Sequence, residues 1–253
     1  MPRISLITAC FNAVETLPET LTSVAGQSGA EVEYIVVDGG STDGTVGLIE
    51  GARVSRWVSE PDGGIYDALN KGISLSSGEV IGFLHADDVF AHDRVLERIA
   101  ERFADPAVQA SYGDLVYVAR GDTARVVRYW RSRPYSARAL RWGWMPPHPT
   151  FYLRRSWYER VGGFDTSYRI AADYEHMLRV LRALDGQVAY LPEVLVRMRL
   201  GGASNRSLRN LWRKSLEDRR ALRANRLGGW PAVAAKNVSK LPQFVQRMAR
   251  GGR

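Results

Sequence analysis

The first hundred residues alternate between short apolar runs and amphipathic stretches, with turn residues between them. The apolar runs are continuous rather than alternating, which is typical of strands buried on both faces of a sheet. Strands that alternate with helices predict parallel strand–helix–strand units. The predicted strands span residues 3–9, 32–37, 54–59 and 79–84, and the predicted helices run from a cap at Asn12 to about residue 27, from after Gly44 to near Gly51, and over 65–75.

Acidic residues follow two of these strands directly. Asp38 ends the second strand, and Asp87-Asp88 follow the fourth. Ligands of open α/β sheets bind at the carboxyl ends of the strands, where an acid can accept a hydrogen bond from a ribose or a base. Two carboxylates also suit Mg²⁺ or Mn²⁺, which commonly hold phosphate oxygens. These positions predict a doubly wound, nucleotide-binding half at 1–105, although Asp87-Asp88 alone would equally suit a turn that caps the next helix.

Two common nucleotide motifs are absent from the sequence. No G-x-G-x-x-G follows the first strand, which argues against a nicotinamide or flavin enzyme, and no G-x-x-x-x-G-K-[ST] occurs, which excludes a P-loop NTPase. On the helix predicted at 65–75, Asp67, Asn70 and Lys71 share one face because they stand at i, i+3 and i+4. Lys71 is a candidate for a diphosphate contact, and a surface ion pair with Asp67 explains it equally well.

Five segments of the chain together form a recognisable pattern. They are VVDGGSTDGT at 36–45, EPDGGIYDALNKG at 60–72, DD at 87–88, GGFD at 162–165 and AADYE at 171–175. These segments resemble glycosyltransferase family 2, most closely its small bacterial members that decorate exopolysaccharides or cell-envelope glycolipids. They occur in the family's order and spacing and span about residues 4–204. The resemblance implies an α/β protein with the GT-A fold, a mostly parallel sheet flanked by helices.

The resemblance implies roles for the matching positions. Asp38 would bind the nucleoside, with Asp62 and the Asn70-Lys71 pair beside the base and the diphosphate. Residues 9–12, Ala-Cys-Phe-Asn, replace the family's usual Pro-Thr-Tyr-Asn. The implied nucleotide-sugar residues are Phe11, Asn12, Asp38, Asp62, Asn70, Lys71 and Asp87.

The expected cofactor is Mn²⁺ or Mg²⁺, with Asp87, Asp88 and His148 as its implied ligands. Asp87 corresponds to the last acid of the family's D-x-D motif, and Asp88 to the acid that often follows it. His85 stands in place of the first acid, which leaves fewer anionic ligands; it ends an apolar strand and is interpreted as a packed residue. His148 lies between prolines where many family members carry a histidine, and a role at the metal or acceptor and a role in the core are both open.

Asp173 is the candidate catalytic base. Glycosyl transfer requires a group that takes the proton of the attacking hydroxyl, and a single in-line displacement, which inverts the anomeric centre, needs only one such carboxylate. Asp173 opens a helix predicted at 173–184, and a helix N-terminus favours an ionised carboxylate. Its position alone would suit an N-cap. The upstream acids and the family segment favour the base.

The second half, 106–204, is the predicted acceptor half, with strands at 108–118, 150–153 and 188–196. Residues 120–141 carry seven arginines against one acid, Asp122. Aromatic faces stack on sugar rings and arginine pairs with phosphate, so this region is a candidate acceptor wall. A solvated basic face with ordinary core tryptophans is the simpler alternative. Residues 199–205 match the place where family members carry a loop over the nucleotide, so the resemblance implies a lid there.

The excess positive charge lies entirely in the last fifth of the chain. Residues 205–253 contain 13 Lys and Arg against 2 Asp and Glu, whereas residues 1–204 contain 22 against 25. Apolar residues recur there at helical spacing among the basic ones, and Pro242 would interrupt the second helix. This basic amphipathic tail predicts contact with an anionic membrane surface. A tail helix packed on the domain is the alternative, and nucleic acid is a weaker one because no binding motif accompanies the charge.

The remaining features place the protein in the cytoplasm, peripheral to the inner face of the cell membrane. Cys10 is alone, so no internal disulfide can form, no apolar run reaches the ~20 residues of a spanning helix, and residues 1–3 lead directly into a strand rather than a signal peptide. The predicted function is metal-assisted, inverting transfer of a sugar from a nucleoside diphosphate to a lipid-linked or saccharide acceptor.

Two other functions remain open on the sequence. A nucleotidyltransferase that makes nucleotide sugars would need a basic loop after the first strand, and residues 9–13 contain no Lys or Arg. A non-catalytic module that binds sugar nucleotides would carry the same binding residues without turnover.

Overall fold

The computed structural model describes residues 1–201 and 208–238, which form one mixed nine-stranded sheet with helices on both faces. Nine strands and nine α-helices occur in this part of the chain. The strands are β1 Ile4–Cys10, β2 Val32–Asp38, β3 Arg56–Ser59, β4 Val80–Phe83, β5 Val89–Phe90, β6 Val108–Ala119, β7 Asp122–Trp130, β8 Tyr152–Arg154 and β9 Gln187–Arg199. The helices are α1 Leu17–Ala25, α2 Thr45–Glu50, α3 Ile65–Leu75, α4 Val95–Phe103, α5 Ala137–Leu140, α6 Arg155–Val161, α7 Ala172–Ala183, α8 Leu208–Ala224 and α9 Trp230–Val238.

The first half is the predicted set of parallel units. Strands β3, β2, β1 and β4 are neighbours in that order, and all three pairings are parallel. Cys10 lies opposite Asp38, and Asp38 lies opposite Ser59, so the carboxyl ends of β1, β2 and β3 meet at one edge. The sequence prediction of the parallel half is confirmed.

The second half adds strands of both directions. From β4 the sheet continues through β8, β6, β9 and β5, and β7 pairs with β6. The β6–β9 pairing is parallel, whereas β8 runs antiparallel to both of its neighbours. Strand β7 was not predicted, because all of its residues are at least partly exposed and its apolar positions are interrupted by charged ones.

Side chains alternate between two apolar cores, one on each face of the sheet. On β1, Ile7 and Ala9 belong to the core shared with α3 and α7, whereas Ile4 and Leu6 belong to the core shared with α1 and α4. All seven residues of β1 are buried. Burial on both faces is the reason that this strand reads as a continuous apolar run.

The two tail helices pack on the first of these cores. Ala221 and Leu222 of α8 and Ala232 and Val233 of α9 are buried in the same cluster as residues of α7. The part of the tail that the structure describes therefore shares a core with residues 1–201. None of the described helices is both long enough and apolar enough to cross a membrane. The predicted interruption at Pro242, and residues 202–205 of the predicted lid, lie outside the described residues.

Several predicted boundaries differ from the structure. Helix α1 begins at Leu17 rather than after Asn12, whose backbone has a positive φ of 47° and whose side chain accepts a hydrogen bond from the Thr42 N–H. Residues 148–150 form a 3-10 turn, so β8 begins at Tyr152. Local side-chain hydrogen bonding explains the first difference, since Asn competes well for backbone donors outside helices.

Candidate functional site

Asp38 organises the loop at the end of β2. Its side chain is fully buried, and its carboxylate accepts hydrogen bonds from the Gly40 and Ser41 N–H groups and from the hydroxyls of Ser41 and Ser59. Burial favours the protonated acid, but the hydrogen bonds from Ser41 and Ser59 outweigh it and lower the pKa of Asp38. The observed role of this carboxylate is to hold the 39–41 loop in shape.

Asp62 and Phe11 lie beside this loop. A Cβ placed on Gly39 would lie 2.7 Å from Oδ2 of Asp62 and 3.4 Å from the Phe11 ring. Phe11 is 64% exposed, and Asn12 joins the first two loops by accepting a hydrogen bond from the Thr42 N–H. A side chain at position 39 would therefore displace the Asp62 carboxylate. An exposed ring can stack on a base, and a neighbouring carboxylate can accept the base's N–H groups.

Asn70 and Lys71 are engaged with the protein. The Asn70 amide donates to the Phe164 carbonyl at 2.9 Å and accepts from the Phe164 N–H at 2.8 Å, which fastens the loop before α7 to α3. Lys71 pairs with Glu60 at 2.8 Å, whereas Asp67 is 3.9 Å away. The hydrogen bond with Glu60 is the main cause of a raised Lys71 pKa. Asn70 therefore has an observed structural role, and Lys71 lies beside the 60–64 turn.

Asp87 and Asp88 have opposite environments. Asp87 is partly exposed, whereas Asp88 is fully buried and its Oδ1 accepts the Arg199 N–H at 3.1 Å. Burial, and secondly the charge of Asp87, raise the pKa of Asp88 well above its ordinary value. Arg199, 5% exposed, donates to the Asp87 carbonyl at 2.7 Å and pairs with Glu19. Arg199, the last residue of β9, thus fixes the turn that carries Asp87 and Asp88.

Asp173 lies in the first turn of α7 and faces Tyr66 of α3. The Tyr66 hydroxyl is 2.8 Å from the Ile170 carbonyl oxygen and 3.3 Å from Oδ1 of Asp173, so its single proton is shared between them. Sequence reasoning did not assign Tyr66, although it lies within the 60–72 segment. Arg199 carried no local signal, because its partners Asp87 and Asp88 are more than a hundred residues away in the chain.

Two histidine rings lie close together near Asp87. His148 is buried and stacks on Phe83, with ring centroids 5.4 Å apart, and the His148 and His85 ring centroids are 5.9 Å apart. Burial lowers the pKa of His148 to about 4, against the opposing charge of Asp173. The imidazole is therefore neutral at physiological pH. His85 stands two residues before Asp87 in the chain.

The residues around Asp87 do not form a metal site by themselves, but they suit a metal that is held together with substrate phosphates. Among residues 1–201 and 208–238, no three His, Cys, Asp or Glu side chains lie together as a cation site, so Asp87, Asp88 and His148 do not form one. Asp87 is accessible, and two buried atoms of the same turn, Oδ2 of Asp88 and Nδ1 of His85, make no hydrogen bond to a described residue. Mg²⁺ is commonly held by one or two carboxylates plus substrate phosphates. The residues fit that mode through Asp87.

The described contacts bring the predicted acids to one edge of the sheet. The 39–41 loop adjoins Asp62, the turn after Asp62 leads into α3, and α3 carries Tyr66 to Asp173. This arrangement offers an exposed aromatic ring, a carboxylate beside a hydroxyl, and a further accessible carboxylate at Asp87.

Comparison with known proteins gives the family. The model of the family described as Glycosyl transferase family 2 matches residues 5–171. An uncharacterised glycosyltransferase of Mycobacterium tuberculosis is 35% identical over 185 residues, which cover 70% of this chain and 68% of that protein. A PGL/p-HBAD biosynthesis glycosyltransferase of the same organism is 30% identical over 185 residues, covering 70% and 69%.

Solved structures share the fold. S. aureus TarS 1–349 in complex with UDP-GlcNAc has a TM-score of 0.67 at 16% identity and covers 97% of this chain and 69% of its own. The mannosyltransferase PcManGT from Pyrobaculum calidifontis, in complex with GDP-Man and Mn²⁺, has a TM-score of 0.66 at 20% identity and covers 98% and 74%. With the family match at residues 5–171, these findings confirm the resemblance drawn from the five segments: the chain has the GT-A fold and belongs to glycosyltransferase family 2.

Proposed function

We propose that the protein transfers a sugar from a nucleoside diphosphate to a hydroxyl of a glycolipid or polysaccharide, with inversion at the anomeric carbon. The observation that carries this proposal is the pairing of the Asp173 carboxylate with the Tyr66 hydroxyl, 3.3 Å apart, at the edge where the nucleotide loops meet. A carboxylate in the first turn of a helix interacts favourably with the positive end of the helix dipole.

The chemistry is a single displacement. The acceptor oxygen attacks the anomeric carbon, the bond from that carbon to the diphosphate oxygen breaks, and the nucleoside diphosphate leaves with the bonding electrons. Asp173 takes the proton of the acceptor hydroxyl. General-base catalysis of this kind raises the rate by about 10²–10⁴-fold. Tyr66 orients the carboxylate. A Mn²⁺ or Mg²⁺ ion bound through Asp87 would supply charge stabilisation to the departing diphosphate.

The proposed donor site lies beside Phe11 and Asp62. The 39–41 loop, shaped by Asp38, is next to both side chains. Two proteins of the same fold were solved with UDP-GlcNAc and with GDP-Man. These two donors are therefore the first to test.

The test incubates UDP-GlcNAc or GDP-mannose with Mn²⁺ and alkyl glycosides, and measures nucleoside diphosphate release and glycoside product. Asp173→Asn should bind donor normally by calorimetry and lose transfer by about 10²–10⁴-fold. Asp87→Asn should weaken donor binding in the presence of Mn²⁺. Asp185→Asn, at an exposed surface pair, is the matched control. Full transfer by Asp173→Asn would remove Asp173 as the base, and donor binding without any turnover would indicate a non-catalytic module.

We also propose that the outer face of the tail lies on an anionic membrane, at its cytoplasmic side. Trp212 is 63% exposed and stacks at 6.3 Å on Trp230, and Leu216 is exposed one turn away from Trp212. Both acids of α8 face inward, Glu217 to backbone amides and Asp218 to Lys236. The exposed charge of this face is therefore basic, and each basic residue near an anionic surface contributes about 1 kcal/mol.

Vesicle sedimentation tests this contact. The protein should bind vesicles that contain phosphatidylglycerol, bind phosphatidylcholine vesicles weakly, and dissociate at high salt because the attraction is screened. Replacing Trp212 and Trp230 by Ser should lower the bound fraction, whereas Trp57→Ser on β3 should leave it unchanged. Equal sedimentation of the double variant and the unchanged protein would contradict the proposed face.

A further inference from the structure

The tail helix α8 reaches the segment that leads into the proposed base. The carboxylate of Glu217 accepts hydrogen bonds from three consecutive backbone N–H groups, those of Arg169 at 3.2 Å, Ile170 at 2.9 Å and Ala171 at 3.0 Å. These amides belong to the three residues immediately before α7, which begins at Ala172. A residue nearly fifty positions away in sequence thus determines the path of the chain into this helix.

The start of α7 lacks a side-chain cap of its own. The N-cap position of α7 is Ala171, which has no side-chain cap hydrogen bond, and helix starts usually depend on such a partner. Glu217 supplies a carboxylate to this region from outside, where its negative charge also suits the positive end of the helix dipole. Ile170 is held from both sides, because its carbonyl accepts from Tyr66 while its N–H donates to Glu217.

Helix α8 is firmly fixed to the domain around Glu217. The next residue, Asp218, forms a buried ion pair with Lys236 of α9 at 2.9 Å, with both side chains 4% exposed. Arg220 donates to the Ser167 hydroxyl at 2.8 Å and stacks on the Tyr168 ring at 4.1 Å. The carboxylate of Glu217 is therefore presented from a rigid support, as positioning of a reactive group requires.

We infer that Glu217 is a positioning residue for Asp173. It does not touch the reacting atoms; it fixes residues 169–171, and with them the first turn of α7 from which the Asp173 carboxylate projects. Misplacement of a catalytic group by about 1 Å can reduce the rate by about 10²-fold. The inference rests on the proposed role of Asp173 as the base.

The kinetic test compares Glu217→Gln, which keeps the shape and removes the charge, with Glu217→Ala. The assay uses UDP-GlcNAc or GDP-mannose with Mn²⁺. We expect kcat to fall by about tenfold or more in both variants. The KM for donor should stay within about twofold, because the proposed donor site is built from other loops. Glu50→Ala, an exposed glutamate at the end of α2, is the control and should match the unchanged protein. A KM increase with unchanged kcat would overturn the inference.

A double-mutant cycle separates failure of this inference from failure of the proposed function. If Glu217 acts through Asp173, adding Glu217→Ala to Asp173→Asn should lower the residual rate far less than it lowers the rate of the unchanged enzyme. Additive losses would give Glu217 a merely structural role. Full activity of Asp173→Asn would instead contradict the role of Asp173 as the base, so the two results are distinguishable.

Hydrogen exchange provides a readout that does not depend on activity. In Glu217→Ala, the amides of residues 169–171 should exchange faster than in the unchanged protein, because their acceptor is gone, whereas amides in the middle of α7 should change little. Glu50→Ala should leave both regions unchanged. Equal protection of residues 169–171 in Glu217→Ala would show that the carboxylate does not hold the segment, and would overturn the inference.

Discussion

Strand β2 carries a buried carboxylate near each end, and the two stabilise different loops. Asp38, at the carboxyl end, collects donors from the 39–41 loop and Ser59. Glu33, near the amino end, accepts from the hydroxyls of Ser5 and Ser77 and from the Ser77 and Gly78 N–H groups. These buried carboxylates are tolerated because several donors surround each of them. The first carboxylate shapes the 39–41 loop, and the second closes the opposite edge of the sheet.

Glu33→Gln should destabilise the protein without affecting the site. The introduced side-chain amide would turn its own N–H donors towards the hydroxyl and backbone N–H donors of Ser5, Ser77 and Gly78. Loss of hydrogen bonds to a buried charge costs about 2 kcal/mol. The free energy of unfolding in urea, compared with that of Glu31→Gln at an exposed position, measures this effect. Donor binding should be unchanged, and a variant as stable as the unchanged protein would contradict the prediction.

The same residue predicts a pH dependence. Burial favours the protonated acid, but the hydrogen bonds from Ser5 and Ser77 outweigh it and lower the pKa of Glu33 from 4.5 to about 2. Its stabilising contribution is therefore present above pH 4.5 and is lost as the pH falls towards 2. Stability curves of the unchanged protein and Glu33→Gln should converge over this range, and a constant difference would contradict the assignment.

At the scale of elements, helices α8 and α9 form a hairpin whose two acids face inward. Asp218 pairs with Lys236, and the Lys236 ammonium lies 3.2 Å from the centroid of the Tyr174 ring on α7. Burial lowers the pKa of Lys236, and Asp218 opposes that shift. One ion pair thus joins α8 and α9, and the cation–π contact joins both to the helix that carries Asp173.

Lys236→Met should destabilise the hairpin strongly, because it leaves the Asp218 carboxylate buried without its cation. Breaking such a pair costs about 3–5 kcal/mol, whereas replacing both partners by uncharged groups is often neutral. Asp218→Asn combined with Lys236→Met should therefore recover most of the loss in urea unfolding. Glu159→Gln, at an exposed pair with Arg155, is the control and should change stability little. A double variant as unstable as the single one would contradict this reasoning.

At the scale of the whole molecule, residues 208–238 are continuous with the catalytic domain. Their buried side chains Ala221, Leu222, Ala232 and Val233 lie in the same core as α3, α7 and the sheet. The inner face of these helices completes the domain, as the packed-tail interpretation of the sequence expected. Membrane contact concerns the exposed side of the hairpin and stays a prediction.

A chain that ends at residue 204 should consequently lose cooperative folding as well as membrane contact. Removing α8 and α9 exposes the apolar side of α7 and deletes the carboxylate that holds residues 169–171. Circular dichroism melting and donor binding should show a large loss relative to the full chain. A soluble 1–204 fragment that melts like the full protein and transfers sugar would contradict this expectation.

Local sequence patterns predicted most of the sheet and the acids at its edge. The continuous apolar runs of β1, β2 and β4 arise from burial on both faces, which depends on each strand's own residues. The GT-A fold and the family follow from segments that keep their order and spacing. Strand β7 and the late start of α1 were missed because no apolar pattern marks the strand or the first residue of the helix.

The sequence by itself determined most of the strands, the parallel arrangement of the first half and the family, since hydrophobic periodicity and turn residues act over a few positions. Only the tertiary structure decided which acids are accessible. Asp87 and Asp88 are neighbours with the same chemistry, yet one is accessible and the other is buried against Arg199, 111 residues away. Asn70, Tyr66 and Glu217 likewise take their roles from partners on distant elements. Hydrogen bonds between distant segments leave no local signal, because they depend on where the folded chain brings the two groups together.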